Sequence, residues 1–117
     1  MSEIATVSMK PGSGMTLAAA ALASGLIAQD LSICVIVPTI ADAAKFPEII
    51  PRDRVRPAEK VTSMNKLLPQ MYIFDDALRC SAVFSRHGEG DLVTIALDRF
   101  SLFQDRLTRL YLFQYTA

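Results

Sequence analysis

Ile4 to Val37 reads IATVSMKPGSGMTLAAAALASGLIAQDLSICVIV, and this stretch decides the fold. Ile4 to Ser8 alternates and is β-branched, which predicts a short strand. That strand runs into Met9-Lys10-Pro11-Gly12-Ser13-Gly14, where a proline and two glycines force a tight loop. From Thr16 to Gln29 alanine and leucine dominate and proline is missing, so a helix is expected, apolar on most faces and packed on a sheet. Asp30 ends it. Leu31 to Val37 is continuously apolar, the pattern of a parallel strand covered on both faces. Strand, glycine loop, helix and strand make a βαβ unit.

Outward from this unit the alternation of β and α continues. Ile40 to Phe46 reads as a short helix, whereas Pro47, Pro51, Pro57 and Pro69, with the charged run Arg52-Asp53-Arg54, break the middle of the chain into loops. Met71 to Phe74 is an apolar strand ending in Asp75-Asp76, and Ser81 to Phe84 reads as a further short strand. After the polar loop Ser85 to Asp91, Leu92 to Leu97 is β-prone, Arg99 to Leu107 has helix-like spacing, and Leu110 to Tyr115 alternates as a closing strand. The expected fold is α/β, one domain over 1–117, with a mainly parallel sheet and helices on its faces. Its central strands are expected at Leu31–Val37, Met71–Phe74 and Leu92–Leu97.

With 51% hydrophobic residues, 117 residues suffice for one real core. Twelve basic residues balance twelve acidic ones, so no chain-wide field draws it to nucleic acid or an anionic membrane. Cys34 and Cys80 lack metal-type spacing, and the lone His87 builds no zinc site, so two buried free thiols are expected. His87 reads as a solvated loop residue, with no partners for a catalytic triad. Met15 to Ile27 is too short to span a bilayer, and no targeting segment is recognisable. A cytoplasmic or virion location is the expectation.

The chemistry lies in the glycine loop. A loop that opens a helix can cradle phosphate with backbone N–H groups, aided by the helix dipole. The phosphate-loop pattern is G-x-x-x-x-G-K-[ST]; this chain keeps Gly14 and Thr16 but has Met9 at the first glycine and Met15 at the lysine. Lys10, Gly12, Ser13, Gly14 and Thr16 are the candidate phosphate contacts, with ATP and magnesium the implied ligands. Loss of the lysine removes charge stabilisation of several kcal/mol, so at most weak hydrolysis is expected. Asp75 is the candidate metal ligand beside Thr16, and Asp76 the candidate carboxylate that polarises an attacking water. The alternative is a plain strand-to-helix turn, with Met15 in the core or on the surface and two aspartates solvated at a strand end.

In its order of glycine loop, apolar strand ending in Asp75-Asp76, Arg86-His87 loop, strand and arginine-bearing helix, the chain resembles a shortened member of the FtsK/HerA-type viral packaging and assembly ATPases. That group includes the zonula-occludens-toxin-like and poxvirus-type packaging proteins, and Pro11 to Gly14 resembles the run in their phosphate loop. The resemblance implies ATP binding and a place in an oligomeric ring. It also implies a glutamine closing the last catalytic strand, where this chain has Asp98, and an arginine finger, for which Arg106 and Arg109 lie at unmatched spacing.

Three functions compete. The first is a nucleotide- or phosphate-binding subunit of a packaging or assembly complex with weak or no hydrolysis. The second is a structural or interaction protein of a virion or regulatory complex that binds no nucleotide. The third is an active ATPase that relies on Lys10. A homo-oligomer or larger assembly is expected, because Phe100, Phe103, Tyr111, Phe113 and Tyr115 crowd the C-terminal segment. Nucleic-acid binding is left open by the balanced charge.

Overall fold

A computed structural model describes residues 3–58, 71–86 and 109–116. Its elements are β1 (Glu3–Met9), α1 (Met15–Ala28), β2 (Ile33–Val37), α2 (Ile40–Lys45), β3 (Val55–Pro57), β4 (Met71–Asp75), α3 (Ala77–Arg86) and β5 (Arg109–Tyr115), with one 3-10 turn at Arg52–Arg54. The strands form one sheet in the order β1-β5-β4-β2-β3, and every pairing is parallel. The α/β fold and parallel sheet follow the reading of the sequence. β1 and β2, however, are not neighbours, because β5 and β4 lie between them.

Strand alternation sorts the side chains onto two faces. Val35, Val37, Val55, Ile73 and Phe113 point to one face and pack with Met15, Ala19, Ala20, Ala23 and Leu26 of α1. Phe46 and Ile50, after α2, close the same core. Cys34, Ile36, Tyr72 and Phe74 alternate to the opposite face, where α3 brings its buried Ala77, Cys80 and Val83. The Cys80 thiol reaches the carbonyls of Asp75 at 3.4 Å and Ile36 at 3.7 Å, which ties α3 to β4 and β2.

The helices end where local chemistry requires. Gly14 sits left-handed (φ 85°) at the start of α1, and Asp30 (φ 60°) closes its far end while donating to the Ile27 carbonyl at 2.9 Å. At α2 the Thr39 hydroxyl accepts from the Asp42 N–H and the Asp42 carboxylate accepts from the Thr39 N–H, a reciprocal cap. Arg52 caps the other end, donating to the carbonyls of Ala43, Phe46, Pro47 and Ile50.

Three expectations are corrected. Ser81 to Phe84 is not a strand but part of α3, whose buried residues Ala77, Cys80 and Val83 recur every three positions while Leu78 and Arg79 are exposed. The proline-broken middle contains a strand, β3, which admits Pro57 because it lies at the sheet edge, where a missing N–H leaves no ladder bond unmade. The closing strand β5 lies inside the sheet between β1 and β4. Leu92–Leu97, expected to be central, falls outside the described residues, as do Arg99–Leu107 and His87. Of the C-terminal aromatics within the described residues, Phe113 is core, Tyr111 packs partly buried against it, and Tyr115 is exposed.

Candidate functional site

Parallel strands deliver their C-terminal ends, and the loops that follow, to one edge of the sheet. The connection after β2 leads to α2 on one face, and that after β4 leads to α3 on the other, so the chain diverges between adjacent strands. Such a divergence opens a crevice, the usual ligand position in an open α/β sheet. A cleft of about 230 Å³ lies there, lined by Thr16, Pro38, Asp42, Lys45, Asp75, Asp76, Arg79 and Tyr115.

Thr16 and Asp75, 59 positions apart in sequence, meet in the cleft: the Thr16 hydroxyl donates to Asp75 Oδ2 at 2.9 Å. Asp75 is only 6% exposed at the end of β4, and its Oδ1 has no hydrogen-bond donor among the described residues. Burial pushes its carboxyl pKa up, partly opposed by the Thr16 hydrogen bond. The nearby Asp76 and Asp42 carboxylates push it further up, while Arg79 pulls it down. Asp76 takes a left-handed φ of 61°, a conformation uncommon without glycine, as the chain turns from β4 into α3. Its carbonyl accepts the Cys80 N–H at 3.0 Å, the first bond of that helix.

The loop between β1 and α1 is a tight turn in which Ser13 N–H donates to the Lys10 carbonyl at 3.1 Å. Gly12 and Gly14 both have φ above 80°, which explains why these positions are glycine. Gly14 supplies no side chain to cap α1, so no side-chain cap occupies the first N–H groups of that helix. Lys10, Gly12, Ser13 and Gly14 are all exposed at this turn. Met15, at the position of the missing lysine, is 2% exposed and belongs to the core beneath α1.

Thr16, Asp75 and Asp76 of the predicted site thus line one cleft, whereas Lys10, Gly12, Ser13 and Gly14 do not line it and form the exposed turn that precedes Thr16. Asp42, Lys45, Arg79 and Pro38 are not singled out by the sequence, and Tyr115 is singled out there only as an aromatic of the expected interface. The topology alone brings them in, since each follows the end of a strand or sits on the helix after it. The 3.3 Å ion pair between Arg79 and Asp42 joins α3 to α2 across the cleft. Asp98 and Arg106 lie outside the described residues. Arg109 sits at the start of β5, at the sheet end opposite the cleft, where it donates to the Tyr111 hydroxyl at 3.2 Å.

Magnesium suits the oxygen donors here. It is held by one or two carboxylates together with waters and substrate phosphates, so it does not need a full protein cage. Among the described residues no group of three or more His, Cys, Asp or Glu side chains forms such a cage. The spare Oδ1 of Asp75 and the adjacent Thr16 hydroxyl are hard donors of the required type. Among the described residues no helix is long and apolar enough to cross a membrane. No protein-family model and no curated protein matches this chain.

Proposed function

We propose that this chain is a degenerate phosphate-loop domain that binds a nucleotide as its magnesium complex, hydrolyses it weakly or not at all, and works as a subunit of a viral or mobile-element packaging or assembly complex. The observation that carries this reading is the 2.9 Å hydrogen bond between the threonine that opens α1 and the buried aspartate that ends β4. A plain strand-to-helix turn has no need of a buried carboxylate at its side, because burying an ionised group without a counterion is unfavourable.

Each residue then has a defined task. The N–H groups following Gly12, Ser13 and Gly14 hold phosphate oxygens at the positive end of α1, and Thr16 and Asp75 hold the metal. When bound, magnesium neutralises charge on the phosphates. Asp76 faces the same cleft and is the candidate to orient a water. Weak turnover follows from Met15, whose burial removes any cation from the loop position that normally stabilises the transferring phosphate.

The cleft's own charge makes the metal a requirement. Asp42, Asp75 and Asp76 face Lys45 and Arg79, one net negative charge that repels free polyphosphate. A fluorescent ATP analogue should therefore bind with magnesium and fail to bind with chelator present. Binding that ignores magnesium, or no binding in either condition, overturns the reading. In the second case Met15 in the core favours the alternative, a structural or interaction protein that binds no nucleotide.

Assembly is supported by the edges of β1 and β3, which have no partner strand on their outer side among the described residues, and by Leu17, a large apolar residue 68% exposed on α1. Light scattering of the purified chain at micromolar concentration should give a mass above that of a monomer. A soluble monomer removes the homo-oligomer.

A further inference from the structure

We propose that Lys45, at the end of α2, supplies the phosphate-binding cation of this cleft in place of the lysine that the glycine loop lacks. The inference rests on the nucleotide-binding reading above and adds the residue that makes binding of a multiply charged phosphate feasible.

The glycine loop places no cation in the cleft. Met15 is turned into the core, and Lys10 is exposed but is not among the residues lining the cleft. Two cations do line it, Arg79 and Lys45. Arg79 is committed, its guanidinium 3.3 Å from Asp42 Oδ2. Lys45 is exposed at the cleft and has no hydrogen bond or ion pair among the described residues. A flexible, uncommitted ammonium on the cleft that Thr16 and Asp75 also line has the character of a phosphate ligand.

A lysine in the last turn of a helix has a plain structural use, which is to complement the dipole and satisfy the final carbonyls. In this chain Arg52 already does that work. Its guanidinium donates to the Ala43 carbonyl at 2.7 Å, to those of Phe46 and Pro47 at 2.9 and 2.8 Å, and to that of Ile50 at 3.3 Å. Lys45 is left free to point its charge into the cleft. The reciprocal cap between Thr39 and Asp42 fixes the start of α2 immediately after β2, so this six-residue helix holds Lys45 at the rim.

The experiment compares wild type, Lys45→Met, Lys45→Arg and Arg56→Gln in titrations with the fluorescent ATP analogue and magnesium at one fixed salt concentration, with a melting curve for each. Arg56 is exposed on β3 outside the cleft and serves as the control for general charge loss. Losing one charge-assisted contact should weaken binding by about ten- to a hundredfold in Lys45→Met, with the melting temperature unchanged. Lys45→Arg should recover most of the affinity, and Arg56→Gln should bind as wild type. If wild type binds and Lys45→Met binds equally well, or loses no more than Arg56→Gln, the role of Lys45 is refuted while the site stands. If wild type itself does not bind, both fall together.

Discussion

Replacing Asp75 by asparagine should raise the stability of the ligand-free protein and abolish the proposed magnesium-dependent nucleotide binding. The side chain is 6% exposed, accepts one hydrogen bond from Thr16, and lies near the Asp76 and Asp42 carboxylates. The cation that acts on it, Arg79, already pairs with Asp42. Asparagine keeps the shape and an oxygen that accepts from Thr16, and it removes the buried charge. The gain should be about 0.5–2 kcal/mol, in the range of other single stabilising changes at functional sites, or a few degrees in melting temperature. The pH dependence fixes the sign. The folded-state pKa of Asp75 is raised above the ordinary aspartate value of 3.8, so the folded chain holds that proton more tightly than the unfolded one. The resulting stabilisation is fully present below the unfolded value and is lost as pH rises through the folded one. The advantage of the variant should therefore be small in acid and grow toward neutrality. Urea or thermal melts of both proteins from acid to neutral pH measure this directly. A variant less stable than wild type at neutral pH, or a difference independent of pH, would show that the carboxylate contributes to the fold and is not retained at its expense.

Ile73 is fully buried at the centre of β4, paired in register with Val35 and Tyr111, and its truncation to alanine should cost about 2–5 kcal/mol in a urea melt. A loss below that range would mean that the core between α1 and the sheet is looser than its burial indicates. Gly25 is exposed within α1, has no left-handed φ, and a Cβ added there meets nothing within 4 Å. Gly25→Ala should stabilise the chain by about 0.5–1 kcal/mol, and a lower melting temperature would point to a close approach at that helix face. Met15→Lys must bring an ammonium out of the core along an extended stem, so it should lower the melting temperature yet tighten binding of the ATP analogue. Unchanged affinity and turnover in a folded variant would remove the glycine loop from the site.

How much of this was legible follows from the period of each segment. β1, α1, β2, β4 and β5 announce themselves because each has a single dominant pattern bounded by glycine, proline or aspartate. α3 was misread at Ser81 to Phe84 because a four-residue window cannot separate a period of 2 from one of 3.6, and the buried Ala77, Cys80 and Val83 become a stripe only over ten residues. β3 is three residues long and ends in proline, so its existence depends on pairing with β2, which no local signal encodes. In the site, Thr16 and Asp75 were accessible as motif residues. Lys45, Asp42 and Arg79 were not, because what brings them together is a strand order that interposes β5 and β4 between β1 and β2.

The distribution of unfavourable features also bears on function. A buried carboxylate with one hydrogen bond, a non-glycine residue at φ 61° and two glycines with φ above 80° lie at the C-terminal edge of the sheet, while the second left-handed non-glycine residue, Asp30 at φ 60°, closes α1 at the opposite edge. Left-handed backbone at a non-glycine residue is unfavourable by about 1–3 kcal/mol, and buried charge adds to that. The sheet interior shows the opposite character: Ile33 to Val37, Tyr72 to Phe74 and Leu110 are buried, and all are apolar or aromatic. Of the buried residues described, Asp75 is the one that is charged. A chain with only fold to maintain would gain by replacing Asp75 and Asp76, since asparagine at the first and glycine at the second satisfy the same backbone. A buried charge beside a left-handed residue in one cleft fits a site whose ligand supplies the missing counterion. Met15 fits the same picture from the other side. A methionine there joins the core and leaves the loop without the cation that would support hydrolysis. Under the proposed function, binding without turnover would account for that combination, whereas a protein with no nucleotide function would have no use for a charged and buried Asp75.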